Sequence, residues 1–353
     1  MMDTLPVELV ESILEHLYYA KDPAQRLLFR RVTLNSLHHG RGHNSFCDAT
    51  NPSTERGRTL GQHIRVLEIF VGEKSGLDLD DADLVDILGR TPRLYELALR
   101  VAGIHQFSVH TMENLMRLAA ASLRIRALTL LSCGIQSPIL YQLLQVWPSI
   151  EFLFIGVEIA APPPKWSPTF RLYQLTLMRT PRYSILSWLL STSNDSLRII
   201  SFRDAPGREV DPLLEAVGPR LRSLRLMNYS LRVAKVLEYC PNLEEFVIVQ
   251  LSTLFKLDNL PRTLEHLSCR NLPSEDQSLD SVIDAIANLP RLRIVTCASQ
   301  AAADLKITEL GHLCGSKGIE LVLDETPFWV REDPVYVDRF PRTKLVANFA
   351  LMN

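Results

Sequence analysis

A short phrase recurs along this chain: an apolar residue, two variable ones, an apolar residue, one variable, an apolar residue. It reads Leu94-x-x-Leu97-x-Leu99, Ile125-x-x-Leu128-x-Leu130, Ile150-x-x-Leu153-x-Ile155 and Leu172-x-x-Leu175-x-Leu177. It returns at Leu197-x-x-Ile200-x-Phe202, Leu221-x-x-Leu224-x-Leu226, Leu243-x-x-Phe246-x-Ile248 and Leu264-x-x-Leu267-x-Cys269, with weaker copies centred on Leu67 and Val295. Successive central positions are 21 to 31 residues apart. No phrase of this size buries its own apolar side, so the copies must stack, and a period of this length predicts a solenoid.

Between the phrases lie stretches with helical spacing: Leu84, Val85, Ile87 and Leu88; Met112, Leu115, Met116 and Leu118; Ile139, Leu140, Leu143 and Leu144; Val233, Val236 and Leu237. Several end at a proline just before the next phrase, as at Trp147-Pro148, Gly218-Pro219, Cys240-Pro241 and Leu289-Pro290. Proline cannot continue a helix and biases its predecessor to extended backbone, so it marks the handover to a strand. The expected fold class is α/β, with a parallel sheet on a concave face and helices on a convex one over residues 63–325. The stretch 326–353 drops the pattern and is read as a cap over the last coil's apolar edge, or else as a partner-binding tail.

Residues 1–45 read as a small helical domain. Leu5, Leu9, Ile13 and Leu17 recur every four positions, with Glu8, Glu11 and Glu15 opposite, and Pro6 suits a first helical position. A second helical stretch is expected after Asp22-Pro23, carrying Leu27, Leu28, Val32 and Leu34. Polar residues around His38-His39-Gly40-Arg41-Gly42-His43 and on to Thr59 suggest a loop, with 46–62 as linker.

Composition narrows the function. Lys+Arg at 38 against Asp+Glu at 40 leaves a net charge of −2, which gives no global field for nucleic acid or an anionic membrane. No apolar stretch suits a membrane span and the acidic start is unlike a signal peptide, so an intracellular, soluble protein is expected. The six cysteines show no C-x-x-C spacing and read as reduced core thiols. There is no glycine-rich phosphate loop, no G-x-S-x-G and no H-E-x-x-H, so neither catalytic residues nor a cofactor are expected. His38, His39 and His43 are metal-ligand types, but no cysteine or acidic residue is seen to complete a site, and a polar loop is the reading; Ala160-Ala161-Pro162-Pro163-Pro164 reads as a stiff connection.

Function then falls to the sheet's outer face. Residues alternating with the inward apolar ones point outward. Among them, Glu96, Arg100, Phe152, Phe154, Met178, Arg203, Arg225, Met227, His266 and Arg270 mix guanidinium forks with aromatic and flexible apolar anchors. Such residues are enriched in interface hot spots, so these ten are the candidate target-binding positions.

The repeats resemble the leucine-rich repeat family. Tyr239-Cys240-Pro241-Asn242-Leu243-Glu244-Glu245-Phe246 is similar to the C-P-x-L-x-x-L form of F-box-associated repeats, and Thr91-Pro92-Arg93-Leu94 and Leu289-Pro290-Arg291-Leu292 are variants of it. The opening Leu5-Pro6-Val7-Glu8-Leu9-Val10-Glu11-Ser12-Ile13-Leu14-Glu15-His16-Leu17 resembles the start of an F-box, L-P-x-E-L-x-x-x-I-x-x-x-L, while the tryptophan usual near the motif's end is replaced by Leu37-His38-His39. That resemblance implies a non-catalytic substrate receptor of an SCF-type ubiquitin ligase, cytoplasmic or nuclear. Leu5, Pro6, Leu9, Ile13 and Leu14 would then meet a Skp-type adaptor, and through it cullin, while the repeats hold a target protein. A repeat scaffold acting outside a ligase is the alternative.

Overall fold

The computed structural model describes residues 30–34, 41–71, 80–250, 256–271 and 279–324. Leu5, Pro6, Leu9, Ile13 and Leu14, His38 and His39, and the stretch 326–353 lie outside them. The chain divides into two compact units, Met1–Trp147 and Pro148–Asn353.

In the first unit, strands β1 (Arg31–Leu34), β2 (Val66–Val71), β3 (Glu96–Val101) and β4 (Ala127–Ser132) pair in chain order, all parallel. Helices α1 (Arg41–Ala49), α2 (Glu55–His63), α3 (Asp81–Gly89), α4 (Val109–Ala120) and α5 (Ile139–Val146) connect or follow them. The second unit repeats the arrangement with β5 (Phe152–Ile155), β6 (Gln174–Leu177), β7 (Ile199–Phe202), β8 (Ser223–Asn228), β9 (Glu245–Gln250), β10 (His266–Asn271), β11 (Ile294–Ala298) and β12 (Glu320–Asp324). Its helices are α6 (Tyr183–Leu190), α7 (Asp211–Val217), α8 (Leu231–Glu238), α9 (Asp280–Ala287) and α10 (Ile307–Lys317). Within each unit a parallel strand at every coil, each beside its predecessor, is the solenoid expected of the repeats.

The phase of the phrase matches the strand register residue for residue. Val32, Leu67, Leu97 and Leu128 stand opposite one another in the first unit. In the second, Leu153, Leu175, Ile200, Leu224, Phe246, Leu267, Val295 and Leu321 form one unbroken row. Leu97, Leu128, Leu175, Ile200, Leu224, Phe246, Leu267 and Val295 are fully buried. Each such side chain contributes roughly 1.5–3 kcal/mol of transfer free energy, so these rows are the main stabilising feature.

Backbone hydrogen bonds give each coil the same entry. One carbonyl accepts two successive N–H groups from the next strand: Arg65 from Tyr95 and Glu96, Tyr173 from Arg198 and Ile199, Arg222 from Glu244 and Glu245, Glu265 from Arg293 and Ile294. The prolines sit just before these entries, at the second position of turns closed by Leu94 N to Thr91 O, Leu221 N to Gly218 O, Leu243 N to Cys240 O and Leu292 N to Leu289 O. A fixed φ is suited to that position, so proline both stops the helix and shapes the turn.

Two local readings are corrected. The helix expected through Val32 and Leu34 is strand β1, and Arg30 O already accepts from Arg65 N and Val66 N, both at 2.9 Å. The phrase is present there as Phe29-x-x-Val32-x-Leu34, and its β-branched Val32 and Thr33 favour a strand. Second, the polar run to Thr59, including the presumed linker 46–62, folds largely as α1 and α2. Glycine, asparagine and serine are weak helix formers, and tertiary anchors override them here. Phe46 and Leu60 are buried, Thr54 caps α2 by accepting from Gly57 N, and Gly61 lies so close to α3 that a Cβ would sit 2.1 Å from Arg90 O. Strand β12 follows no full phrase, because the leading apolar position holds Gly318 (φ +67°), the left-handed end of α10.

The connection from β5 to β6 has no helix. Residues between β5 and β6 run extended through Pro162-Pro163-Pro164, held by Trp188. Its indole Nε1 donates to Trp166 O at 3.0 Å, and its ring meets those of Trp166 and Phe170 edge-on.

Candidate protein-binding face

The ten outward candidates do sit on the alternate rows of their strands or just past the strand ends, but their surroundings are not uniformly open. Two kinds of environment divide it.

The open part in the second unit lies where β5 to β8 end. Phe154 and Met227 are half-buried on β5 and β8, and Met178 and Arg203 follow β6 and β7 directly. Met178 is half-buried and Arg203 is exposed. Ladder bonds from Met178 N to Ile155 O (2.9 Å) and from Arg203 N to Leu177 O (3.0 Å) carry the pairing one residue past the strands and so fix where these side chains start. Continuing the register places Met178, Arg203 and Met227 in one row, while Phe154 stands opposite Thr176 in the row before it, so four coils contribute to a flexible apolar patch carrying one guanidinium. In the first unit the open positions are Phe70 and Arg100. Arg100 Nε donates to Glu68 Oε1 at 3.1 Å, with the Arg100 side chain half exposed.

The closed part corrects four candidates. Glu96 (3%), Phe152 (3%), Arg225 (7%) and His266 (1%) are buried, so none of them is a free contact. Glu96 Oε1 accepts from Thr129 Oγ1 at 3.1 Å, and the Phe152 ring lies 5.8 Å from that of Tyr173. The remaining pair belongs to a network across β8 to β11. Glu245 Oε1 accepts from Ser223 Oγ (2.5 Å) and Arg225 Nη2 (3.4 Å), and its Oε2 lies 3.0 Å from His266 Nδ1. His266 Nε2 is 2.9 Å from Thr296 Oγ1. Only the backbone of Arg270 lies within the description, on β10.

Burial of these charges follows from who stands beside them. Ser223, Glu245 and His266 are direct ladder neighbours in one row, as are Arg225, Val247, Ser268 and Thr296 in the next. Strands run about 4.8 Å apart, so short serine, threonine and valine side chains let the long ones fold onto one another. A carboxylate accepts only, so Nδ1 carries a proton toward Glu245, and Nε2 faces the Thr296 hydroxyl. Hydroxyl, imidazole and carboxylate in this order make a nucleophile-and-base chain elsewhere. Here the hydroxyl belongs to a residue only 4% exposed, and the arrangement braces four strands.

Sequence reasoning did not find a shallow groove of about 810 Å³ in the second unit, lined by Lys256, Asp258, Arg262, Asp284 and Asn288. Lys256 and Asp284 pair across it at 3.2 Å. Both signs of charge line it, which gives no single ligand chemistry. Among the described residues no helix is long and apolar enough to cross a membrane.

No protein-family model matches the chain, and no curated protein is significantly similar to it. Among solved structures, the leucine-rich repeat-containing protein LegL7 from Legionella pneumophila is similar at a TM-score of 0.46 and 14% identity, over 83% of this chain and 89% of that one. The repeat architecture described above rests on this chain's own register.

Proposed function

We propose that the chain is a non-catalytic protein-interaction module whose open outer patch, Phe154, Met178, Arg203 and Met227, holds a protein partner. The observation that carries this reading is the contrast between two parts of one sheet face. In the second unit Arg225 and His266 are buried against Glu245, whereas Arg203, standing between two methionines, is left accessible. Arginine and methionine surrounded by near-neutral positions are what a hot spot requires.

A finer reading rests on the N-terminal phrase Leu5-Pro6-x-Glu8-Leu9, with Ile13 and Leu17 completing the F-box spacing. On it, the protein is the substrate receptor of an SCF-type ubiquitin ligase, with Leu5, Pro6, Leu9, Ile13 and Leu14 docking on a Skp-type adaptor that links to cullin. An amphipathic helix with an apolar stripe is the chemistry that seeks a partner groove. Strand β1 (Arg31–Leu34) pairs with β2 and so belongs to the repeat sheet, which leaves a docking domain shorter than the 1–45 read from sequence. That shortening favours the second reading, a repeat scaffold working outside a ligase.

Co-purification separates them. A receptor retains a Skp-type adaptor and cullin, and loses both on Leu9→Asp with Ile13→Asp while keeping its target. A scaffold keeps its target and never brings cullin. In either case Arg203→Glu with Met227→Asp should release the target. Capture of the target unchanged by that pair would overturn the assignment of the patch.

A further inference from the structure

The helices formed by the polar run bring together side chains that sequence left apart. His43 and Cys47 are four residues apart on α1 and so share one helix face. Asp86, on α3, meets them: Cys47 Sγ lies 3.5 Å from Asp86 Oδ2, and one ligand atom from each of the three falls within 4.8 Å of the others. The cysteine and the acidic residue that seemed missing around His43 are both present. They come from the same helix and from a helix some forty residues on, a separation no local spacing rule detects.

Two further observations point to a ligand. His43 Nε2 is buried and has no hydrogen-bond partner, a state that buried polar atoms rarely keep. The other ring nitrogen, Nδ1, lies 3.7 Å from Asp83 Oδ1, and a carboxylate behind a histidine is the usual orienting partner of a metal ligand. Arg90 fixes the third ligand. Its Nε donates to Asp86 Oδ2 at 2.9 Å and its Nη1 to Cys47 O at 2.8 Å, tying the two helices together.

We propose that His43, Cys47 and Asp86 form a binding site for one divalent transition-metal ion of the zinc class, joining α1 to α3. Imidazole nitrogen, thiolate sulfur and carboxylate oxygen are the donor set of a borderline-soft ion, and unlike an all-oxygen site they select against magnesium and calcium. Ligand atoms around a tetrahedral zinc ion stand roughly 3.5 Å apart, so closure takes about an ångström of side-chain rotation. On binding, the Cys47 thiol releases its proton to solvent and the sulfur donates its electron pair to the ion. Three protein ligands leave one position for water. The ion would join the first coil's helix to the second's while keeping that open position.

Cobalt(II) is the probe. Titrated into untagged, chelator-treated full-length protein, it should bind one equivalent. The sulfur-to-cobalt charge-transfer band should appear with the intense visible bands of tetrahedral coordination. Cys47→Ser should abolish the charge-transfer band, and His43→Ala should weaken binding by about tenfold or more. A second readout does not need the variants. Cys47 is half-buried while the other five cysteines are buried, so thiol labelling of the native protein reports Cys47 alone, and zinc should protect it. Absence of cobalt uptake at tens of micromolar by folded protein would overturn the site. So would a charge-transfer band that survives in Cys47→Ser, or labelling that proceeds unchanged with zinc present.

Discussion

His266 Nδ1 lies 3.0 Å from Glu245 Oε2, and the two residues stand directly opposite each other on adjacent parallel strands. Glu245 is fully buried and carries Arg225 on its other oxygen. Replacing Glu245 with leucine leaves a guanidinium that cannot deprotonate without its carboxylate. Loss of one partner from a buried ion pair costs about 3–5 kcal/mol. Chemical denaturation of Glu245→Leu should show a fall of that order, and the triple change with Arg225→Met and His266→Leu should recover much of it.

The apolar row and the open patch should respond in opposite ways. Leu224→Ala removes a fully buried side chain from the centre of the second unit's row and is expected to cost about 2–5 kcal/mol. Arg203→Ala touches an exposed residue and should stay within about 0.5 kcal/mol of the parent. Denaturant midpoints for the two variants check this directly.

Two glycines make a sharper pair. A Cβ on Gly134 would lie 2.7 Å from both the carbonyl carbon and oxygen of Gly103, whose φ is +60°, so Gly134→Ala forces the two loops apart. An overpacked contact of this kind costs about 1–3 kcal/mol. Gly315, inside α10, has nothing within 4 Å of its Cβ position, and Gly315→Ala should stabilise by about 0.4–1 kcal/mol. Thermal melts of the two variants should therefore shift in opposite directions.

Alkaline pH should weaken the fold through its core thiols. Desolvation pushes the Cys240 thiol from 9.0 up to about 12 and Cys133 from 9.0 up to about 11. Unfolded, these thiols ionise near their ordinary value, so above it the unfolded state holds fewer protons than the folded one. Their contribution is fully present below pH 9.0 and is lost as pH rises through about 11 and 12. Denaturation midpoints measured at about pH 8 and about pH 10.5 should fall with pH, and Cys240→Ala should flatten the slope.

The sequence carried the architecture because leucine and its alternates obey one phase. A row such as Leu224, Phe246 and Leu267 needs nothing but that phase to align. Strand β1 is equally visible as Phe29-x-x-Val32-x-Leu34, but Val32 and Leu34 also fit the helical stripe of Leu27 and Leu28. What sequence did not carry was exposure. Parity says that Arg225 and Arg203 both point outward, yet one is buried and one exposed. The difference lies in the neighbours on other strands, Glu245 beside one and Met178 before the other, and those come from register. Cys47 and Asp86 show the same limit, since only the packing of α1 against α3 brings them to 3.5 Å.

Phe154, Met178, Arg203 and Met227 each come from a different coil, and none belongs to the row that holds its strand in place. Mutation can therefore rewrite the grip one coil at a time while the frame stays fixed. Over generations such a surface could change its partner by small, separable steps, each tested on an intact fold, whereas the Glu245 network could only change in concert. The two halves of one sheet face would then age at different rates.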